Sequence, residues 1–295
     1  MSRVDAIPAP VLVLGGVLSV QFGGALAATL VPQIGAAGSV ILRLGIATLV
    51  LLAIARPRWR GHSRRDLGTI ICFGIAMGLM NFAFYASLGH LPIGVAVTIE
   101  FVGPLTLAAV LSRRPRDLLA VATAAIGVVL ISRALSLPFD QLETTGILLA
   151  LAAGACWAAY IVFSGRTGAA FPQLEGLALA MVVATVVVLP FGLWDVARHG
   201  TAAWDGEVLL KGLGIAVLSS VLPYSLELFA LRRLAPAVFG ILLSLEPAVA
   251  ALAGLIVLGQ RLSGVQLFGM ALVVLASVLV LGLGAARRPK AELPV

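Results

Sequence analysis

Long runs of apolar residues dominate the sequence and restrict its fold more than any other feature. A helix that crosses a bilayer needs about 20 mainly apolar residues. We predict ten membrane-spanning helices of about this length, joined by short connections, at residues 11–31, 37–55, 67–88, 91–111, 118–133, 146–164, 175–193, 208–229, 234–257 and 264–284. Only 11% of the residues are charged, against about 25% in soluble domains. This composition excludes soluble enzymes, nucleic-acid-binding modules and disordered proteins.

The distribution of basic residues predicts the orientation of these helices. With connections on alternate sides of the membrane, 15 of the 20 Lys and Arg residues fall on one side and four on the other, and Arg43 lies within a span. Because basic residues concentrate on the cytoplasmic side, we expect both termini in the cytoplasm. The alternative, a signal peptide cleaved near Ala25-Leu26-Ala27, would leave nine spans and place the basic C-terminus outside.

The two halves of the sequence carry a weak internal repeat. A shift of 143 places superimposes Leu88 on Leu231, Leu91 on Leu234, Val95 on Val238 and Pro104 on Pro247. Each half holds five spans, an odd number, so the second half must be inverted relative to the first. We therefore expect an all-α polytopic membrane protein with ten transmembrane helices in two inverted five-helix repeats, residues 1–140 and 141–295. Such repeats are a common build of secondary transporters, although a duplicated scaffold is the simpler reading.

A few polar side chains lie inside the predicted spans. Charged groups in hydrocarbon cost at least about 2.5–3.5 kcal/mol each, yet the spans contain four: Arg43, Glu100, Glu227 and Glu246. At about 1.5 Å per residue, all except Glu227 lie within about 5 Å of the middle of their spans, as do Gln21 and Asn81. Two carboxylates, one guanidinium and two amides therefore share one depth.

Prolines interrupt the same helices near the same depth. Each of Pro104, Pro223 and Pro247 lacks an amide hydrogen and crowds the carbonyl four residues before it. For Pro104 that carbonyl belongs to Glu100, and Glu246 immediately precedes Pro247. Freed carbonyls survive at membrane depth only where protein or a wet cavity satisfies them. The coincidence of broken helices and charged side chains predicts a cavity.

These groups suit a zwitterionic ligand such as an amino acid. Glu100 or Glu246 can bind an ammonium group, and Arg43, Gln21 or Asn81 can bind a carboxylate, which a guanidinium holds in a bidentate pair. A membrane-embedded carboxyl group can also take up and release a proton. This chemistry predicts an amino-acid site that is coupled to a proton gradient.

Several of these residues also have structural interpretations. Arg43 could pair with a glutamate and only hold helices together, and Glu227 could reach the interface near Arg232 and Arg233. Aromatic side chains could stack on a ligand or only pack: Phe84, Tyr85, Trp157 and Tyr160. The sequence carries no metal-ligand cluster, phosphate-binding loop or nucleophile elbow. We therefore expect no enzyme, cofactor or metal site.

Four stretches of the chain resemble a known family. They are residues 19–27 (SVQFGGALA), residues 80–85 (MNFAFY) continuing through 91–96 to 100–105 (EFVGPL), residues 154–160 (GACWAAY), and residues 222–227 (LPYSLE) continuing to Gly240 and 244–248 (SLEPA). On these residues the chain resembles the ten-helix EamA-type branch of the drug/metabolite transporter superfamily and, within it, the threonine/homoserine exporters. One departure is Gly259-Gln260, where family members often carry Gly-Glu.

The resemblance implies a multi-pass inner-membrane protein that exports small amino acids from the cytoplasm by proton antiport, through a cavity between its halves. It implies ten site residues: Gln21, Arg43, Asn81, Tyr85, Glu100, Trp157, Tyr160, Tyr224, Glu227 and Glu246. The expected partners are an amino acid, protons and the lipid bilayer, without nucleic acid. Since fold relatives move other compounds, export of other metabolites or cationic toxicants is an alternative, and a non-transporting scaffold or receptor is a second.

Overall fold

All regular secondary structure in the described part of the chain is helical. The computed structural model describes residues 7–58, 61–91, 93–112, 115–132, 143–200, 204–258 and 262–285. The helices are α1 (Ala9–Ala28), α2 (Val31–Ile34), α3 (Ala36–Ala55), α4 (Arg64–Ser87), α5 (Ile93–Leu111), α6 (Pro115–Ser132), α7 (Thr144–Ala170), α8 (Glu175–His199), α9 (Gly206–Ala216), α10 (Leu222–Leu231), α11 (Pro236–Leu243), α12 (Glu246–Leu258) and α13 (Gly264–Ala285). A π-helical segment, Val217–Val221, joins α9 to α10. Each predicted span overlaps one of these helices or a consecutive group of them.

Apolar helices occur in both halves of the chain. Five stretches are long and apolar enough to cross a membrane: Ala36–Ala55, Arg64–Ser87, Thr144–Ala170, Glu175–Arg198 and Gly206–Leu231. Five apolar stretches are shorter, with 10–17 residues each: Ala9–Gly24, Val95–Leu111, Asp117–Ser132, Pro236–Leu252 and Gly264–Val280. The predicted boundary between the halves at residue 140, like Gly259-Gln260, lies outside the described residues.

The outer surface of the helices suits lipid. Large apolar side chains are exposed along several helices, among them Leu49, Val110 and Leu210, which are 68%, 75% and 69% exposed. So many exposed large apolar side chains are unusual for a soluble monomer, whereas α-helices satisfy their own backbone polar groups and are stable in hydrocarbon. The exposed apolar faces therefore agree with a membrane environment.

Hydrogen bonds tie several helix ends together at one end of the bundle. Arg232, which follows α10, donates to three carbonyl groups near the α7–α8 connection, those of Gly168 (2.7 Å), Phe171 (2.9 Å) and Gln173. Arg233 donates to the carbonyl of Ile7 (2.7 Å). The backbone N–H of Arg58, after α3, donates to the Glu175 carboxylate (2.8 Å). We call this end, where α3, α7 and α10 finish and α1 and α8 begin, the basic end.

Glycines allow close contacts between neighbouring helices. On α6 and α13, a Cβ atom added to Gly127 would lie 2.8 Å from the Gly269 carbonyl oxygen, and one added to Gly269 would lie 2.9 Å from that of Gly127. On α5 and α7, a Cβ atom on Gly103 would overlap the carbonyl of Gly154, and one on Gly154 would lie 2.5 Å from the Glu100 carbonyl oxygen. Only a residue without a side chain permits backbones to approach this closely.

Candidate functional site

A cavity of about 540 Å³ lies between helices of both halves of the chain. All ten site residues named from the sequence line it: Gln21, Arg43, Asn81, Tyr85, Glu100, Trp157, Tyr160, Tyr224, Glu227 and Glu246. Of the three prolines expected to break helices, Pro247 also lines the cavity, whereas Pro104 and Pro223 do not. The expectation is wrong for Pro104, because α5 continues through it from Ile93 to Leu111. The structure thus brings together, around one space, side chains that lie far apart in the sequence.

The cavity extends away from the basic end. It includes Gln21 in the second half of α1, Tyr85 in the last turn of α4, Ser132 at the end of α6 and Gln266 in the first turn of α13. None of its described lining residues belongs to the connections at the basic end. On α10, the lining residue nearest to the basic end is Glu227, one turn before that helix ends.

Arg43, Asn81 and Tyr224 form a hydrogen-bonded group that joins three helices. Arg43 on α3 donates from Nη2 to the side-chain oxygen of Asn81 on α4. The amide nitrogen of Asn81 donates to the hydroxyl of Tyr224 on α10 (3.0 Å) and to the Met77 carbonyl (2.8 Å). Each of the three side chains is 6% exposed, and the Arg43 guanidinium also lies 5.5 Å from the centre of the Tyr85 ring. We call these three residues the polar triad.

The triad leaves Arg43 without a carboxylate partner in the described part of the chain. The ion pairs found there join His62 to Glu175, His90 to Glu143, and Lys211 to Glu207. The Arg43–Glu pair considered as a structural alternative is therefore not formed among these residues. The neutral amide of Asn81 holds the guanidinium instead. The positive charge of Arg43 therefore remains available to an anionic ligand.

Three carboxylates line the cavity in two different settings. Glu227, 5% exposed, accepts a hydrogen bond from the Tyr160 hydroxyl at 2.6 Å. It faces α7 rather than Arg232, whose guanidinium binds backbone carbonyls. Within the described residues, no hydrogen bond reaches the side chain of Glu100 or Glu246. Glu100 and Glu246 therefore differ from Glu227, which already has a hydrogen bond from Tyr160. Their carboxylates are available to a ligand or a proton.

Aromatic rings make up much of the remaining wall. Trp157 contacts Phe101 edge to face with ring centres 4.9 Å apart. The Tyr160 ring lies between Phe73 (5.4 Å) and Tyr224 (5.6 Å). These rings pack on one another and fix the shape of the cavity floor, where Tyr160 and Tyr224 also present their hydroxyl groups.

Local interruptions of the helices position two parts of the site. The break between α11 and α12 places Glu246 in the first turn of α12. The π-helical segment ends just before Pro223, which has no N–H for the carbonyl of Ser219. Such π-bulges are frequent at functional sites. This segment precedes the turn of α10 that carries Tyr224 and Glu227.

Several polar residues of the lining are not among the site residues predicted from the sequence. Ser219, Ser132 and Gln266 line the cavity, and the Ser219 hydroxyl has no partner among the described residues. Its position four residues before Pro223 was the available signal. Gln266 donates to the Ile131 carbonyl (3.2 Å) and accepts from Ser263. The Ser-x-x-Gln pattern there signals only a helix cap.

Comparison with known proteins identifies the family. The model of the EamA-like transporter family matches residues 144–282. The threonine/homoserine exporter RhtA of Salmonella typhimurium (strain LT2) is 40% identical over 275 residues, which cover 91% of this chain and 90% of that protein. The protein of the same name in Escherichia coli (strain K12) is 39% identical over 273 residues, 91% of this chain and 89% of its own length. The chain belongs to the EamA-like transporter family.

More distant relatives agree with this assignment. A probable amino-acid metabolite efflux pump of Salmonella typhimurium is 27% identical over 248 residues, 77% of this chain and 79% of that protein. One solved crystal structure has the same fold, with a TM-score of 0.75 at 18% identity, and the match covers 95% of this chain and 99% of that one. As an EamA-like transporter with several membrane-length helices, the protein is a multi-pass membrane protein and not an enzyme.

Proposed function

We propose that this EamA-like transporter exports small amino acids, of the threonine and homoserine type, from the cytoplasm by proton antiport. The observation that carries this proposal is one cavity with a guanidinium held by a neutral amide and two carboxylates without protein partners. An amino acid presents one carboxylate and one ammonium group, so both of its charges find an opposite charge there. The names of the most similar relatives support the same substrates.

Each charged group of the cavity has a distinct role in this proposal. Arg43 binds the substrate carboxylate, because a guanidinium pairs with a carboxylate in a planar, bidentate geometry. Glu100 and Glu246 bind the ammonium group in one state and a proton in the other. Glu227 is held by Tyr160 and stabilises the floor. Exchange of ammonium for protons at the same carboxylates would couple efflux to proton entry.

We also propose that ten helical spans form two inverted repeats in the inner membrane, with both termini in the cytoplasm. Asn81 and Tyr224, which hydrogen-bond to each other, are 143 residues apart, the same spacing that aligns the two halves of the sequence. Residues on an axis between inverted repeats contact their own counterparts in this way. The basic end would face the cytoplasm, and the cavity would then extend toward the outside.

Efflux of labelled amino acids tests the proposed function. Cells that make the protein would be loaded with labelled threonine, homoserine, lysine, leucine or a quaternary ammonium dye, and the loss of each label would be followed. We expect faster loss of threonine and homoserine than in cells without the protein, and loss of this advantage when an uncoupler collapses the proton gradient. Equal rates in both cell lines for every amino acid would contradict the proposal.

Glutamine substitutions test the carboxylates. We expect Glu100→Gln and Glu246→Gln each to lower threonine efflux by roughly tenfold or more, because a neutral amide neither binds ammonium strongly nor carries a proton. Glu207→Gln is the matched control, since that side chain is 70% exposed and pairs with Lys211 away from the cavity. The amount of each of the three variants that is present in the membrane is measured by labelling the protein in isolated membranes. Unchanged efflux in both cavity variants would remove the carboxylates from the mechanism.

One observation favours a second candidate function, export of cationic compounds. The cavity contains three carboxylates against one guanidinium, an excess of negative charge that would attract a cation without a carboxylate. The same efflux panel separates the two functions. Faster loss of the quaternary ammonium dye, with unchanged loss of threonine, would favour the cationic substrate.

A further inference from the structure

One member of the polar triad, Asn81, has no N–H group left to donate to a ligand. We propose that Asn81 is a positioning residue, which holds Arg43 and Tyr224 for the substrate carboxylate, and that those two residues make the contact. This inference rests on the amino-acid export proposed above and goes beyond it by separating residues that bind from a residue that orients. The sequence alone had presented Asn81 as a binding residue in its own right.

Counting donors and acceptors fixes the orientation of the Asn81 amide. Its oxygen accepts from Arg43, whose guanidinium can only donate. Its nitrogen donates to the Met77 carbonyl at 2.8 Å, and a carbonyl can only accept. The second N–H of the same nitrogen donates to the Tyr224 hydroxyl at 3.0 Å. Both amide hydrogens are therefore used within the protein, and a flipped amide would lose two of the three bonds.

The free donors of the triad belong to Arg43 and Tyr224. A guanidinium carries five N–H groups, and in the described part of the chain Arg43 Nε has no hydrogen-bond partner. The Tyr224 hydroxyl accepts from Asn81, and its own proton meets only the Asn81 oxygen at 3.5 Å. That distance exceeds the range of about 2.5–3.0 Å for an O–H···O bond. Both side chains line the cavity, so a carboxylate there can accept from each.

The position of Asn81 explains why an orienting residue is useful. Arg43 is on α3, Asn81 on α4 and Tyr224 on α10, so the two binding groups come from opposite halves of the chain. An arginine side chain is long and flexible, and its rotamers must be restricted before it can hold a carboxylate in a defined geometry. Asn81 restricts it, and its bond to Tyr224 places the second donor at the same site.

A binding experiment with two ligands tests this assignment. Threonine and threoninamide share the ammonium and hydroxyl groups, but threoninamide lacks the carboxylate. Dissociation constants of both would be measured by equilibrium binding to the full chain in lipid nanodiscs, and their ratio would report carboxylate recognition alone. The variants are Arg43→Ala, Asn81→Leu, Tyr224→Phe, the double variant Arg43→Ala/Tyr224→Phe, and the triple variant that adds Asn81→Leu to it. If Arg43→Ala folds poorly, Arg43→Lys is used in its place, and Asn81→Ala likewise replaces Asn81→Leu.

We expect wild type to prefer threonine and each single variant to lower that preference roughly tenfold or more, since hydrogen bonds to charged groups are strong. Adding Asn81→Leu to the Arg43→Ala/Tyr224→Phe double variant should cause no further loss, because Asn81 acts only through those two residues. Arg43→Ala with Tyr224→Phe should lose more than either single variant, because Tyr224 makes its own contact. Thr48→Val is the control: Thr48 is on α3, bonds to Met181 and Thr185, and should leave the ratio unchanged.

Three outcomes would overturn the inference. A further loss on adding Asn81→Leu to the Arg43→Ala/Tyr224→Phe double variant would show that Asn81 touches the carboxylate itself. A wild-type ratio in Asn81→Leu and Asn81→Ala would show that Asn81 does not position Arg43. Absence of threonine binding to wild type would overturn the proposed function and this inference together, whereas binding with either of the first two results would overturn only the inference.

Discussion

Two parts of the molecule carry a proline at the same place in the internal repeat and yet differ in backbone structure. Pro104 lies inside α5, which runs without interruption from Ile93 to Leu111. Pro247 follows a break, since α11 ends at Leu243 and α12 begins at Glu246. A proline at one sequence position is therefore compatible with either a continuous or a divided helix.

The neighbours of each proline explain the difference. A proline crowds the Cβ atom of the residue before it; Gly103 has no Cβ atom, whereas Glu246 has one and is the first residue of α12 after the break. Near the second proline, the Ser244 hydroxyl also bonds to the Ile241 carbonyl at 2.6 Å, a contact that bends helices. The backbone N–H of Ser244 likewise bonds only three residues back. Local sequence around the proline thus decides between the two structures.

The comparison also shows that the two cavity carboxylates are not equivalent. Shifted by 143 places, Glu100 falls on Leu243 and Glu246 falls on Gly103. Glu100 extends from a continuous helix, four residues before its proline, while Glu246 occupies the first turn of a new helix. The two halves therefore place their charges at different positions, so we expect substitutions at matched sites to have unequal effects.

The largest effect is expected when a side chain is added at Gly103, the residue before Pro104. Gly103→Ala would place a Cβ atom on the Gly154 carbonyl of α7, and overpacking costs about 1–3 kcal/mol or more. We expect a lower melting temperature for the purified variant, measured by thermal unfolding in detergent, and a reduced yield. Gly45→Ala is the control, because nothing lies near its Cβ position. Equal melting temperatures for the two variants would contradict the close contact between α5 and α7.

An intermediate effect is expected when the two prolines are replaced in turn. Pro247→Ala restores an N–H that can bond to the Leu243 carbonyl and join α11 to α12, which would move Glu246 in the cavity wall. Since a site tolerates only small displacements, we expect threonine efflux to fall roughly tenfold. Pro104→Ala acts on a helix that is already continuous, and its efflux should stay within about twofold. Equal efflux in both variants would show that the break has no part in transport.

The smallest effect is expected at Ser244. Ser244→Ala removes the hydrogen bond to Ile241 and should cost about 1 kcal/mol or less, a drop of a few degrees in melting temperature. Efflux should remain at the wild-type rate, because Pro247 is still present and still provides no N–H for the Leu243 carbonyl. A loss of efflux as large as that of Pro247→Ala would instead assign the break to Ser244.

The positions of the apolar helices could be predicted from the sequence. They depend on local composition and on the number of apolar residues that a membrane-spanning helix needs. For this reason α3 and α4, observed at Ala36–Ala55 and Arg64–Ser87, overlap the predicted spans 37–55 and 67–88. The ten candidate site residues, chosen for charge, aromaticity, depth or family resemblance, all border one cavity, while their roles in transport stay a prediction.

The partners of these residues could not be predicted. Asn81 and Tyr224 are 143 residues apart, and the side chains that Arg43 and Glu227 contact depend on which helices pack together. The sequence predicted a helix break at each of Pro104, Pro223 and Pro247, and it could not distinguish the interruptions near the last two from α5, which continues through Pro104, because proline gives the same local signal at all three. Tertiary packing decides such cases.

The bonds that Arg232 makes have a practical consequence for engineering the protein. One guanidinium holds the carbonyls of Gly168, Phe171 and Gln173, so the chain between α7 and α8 is anchored to the end of α10. A reporter domain, epitope tag or protease cleavage sequence inserted there would separate these carbonyls and release α10. Fusion partners are better attached elsewhere.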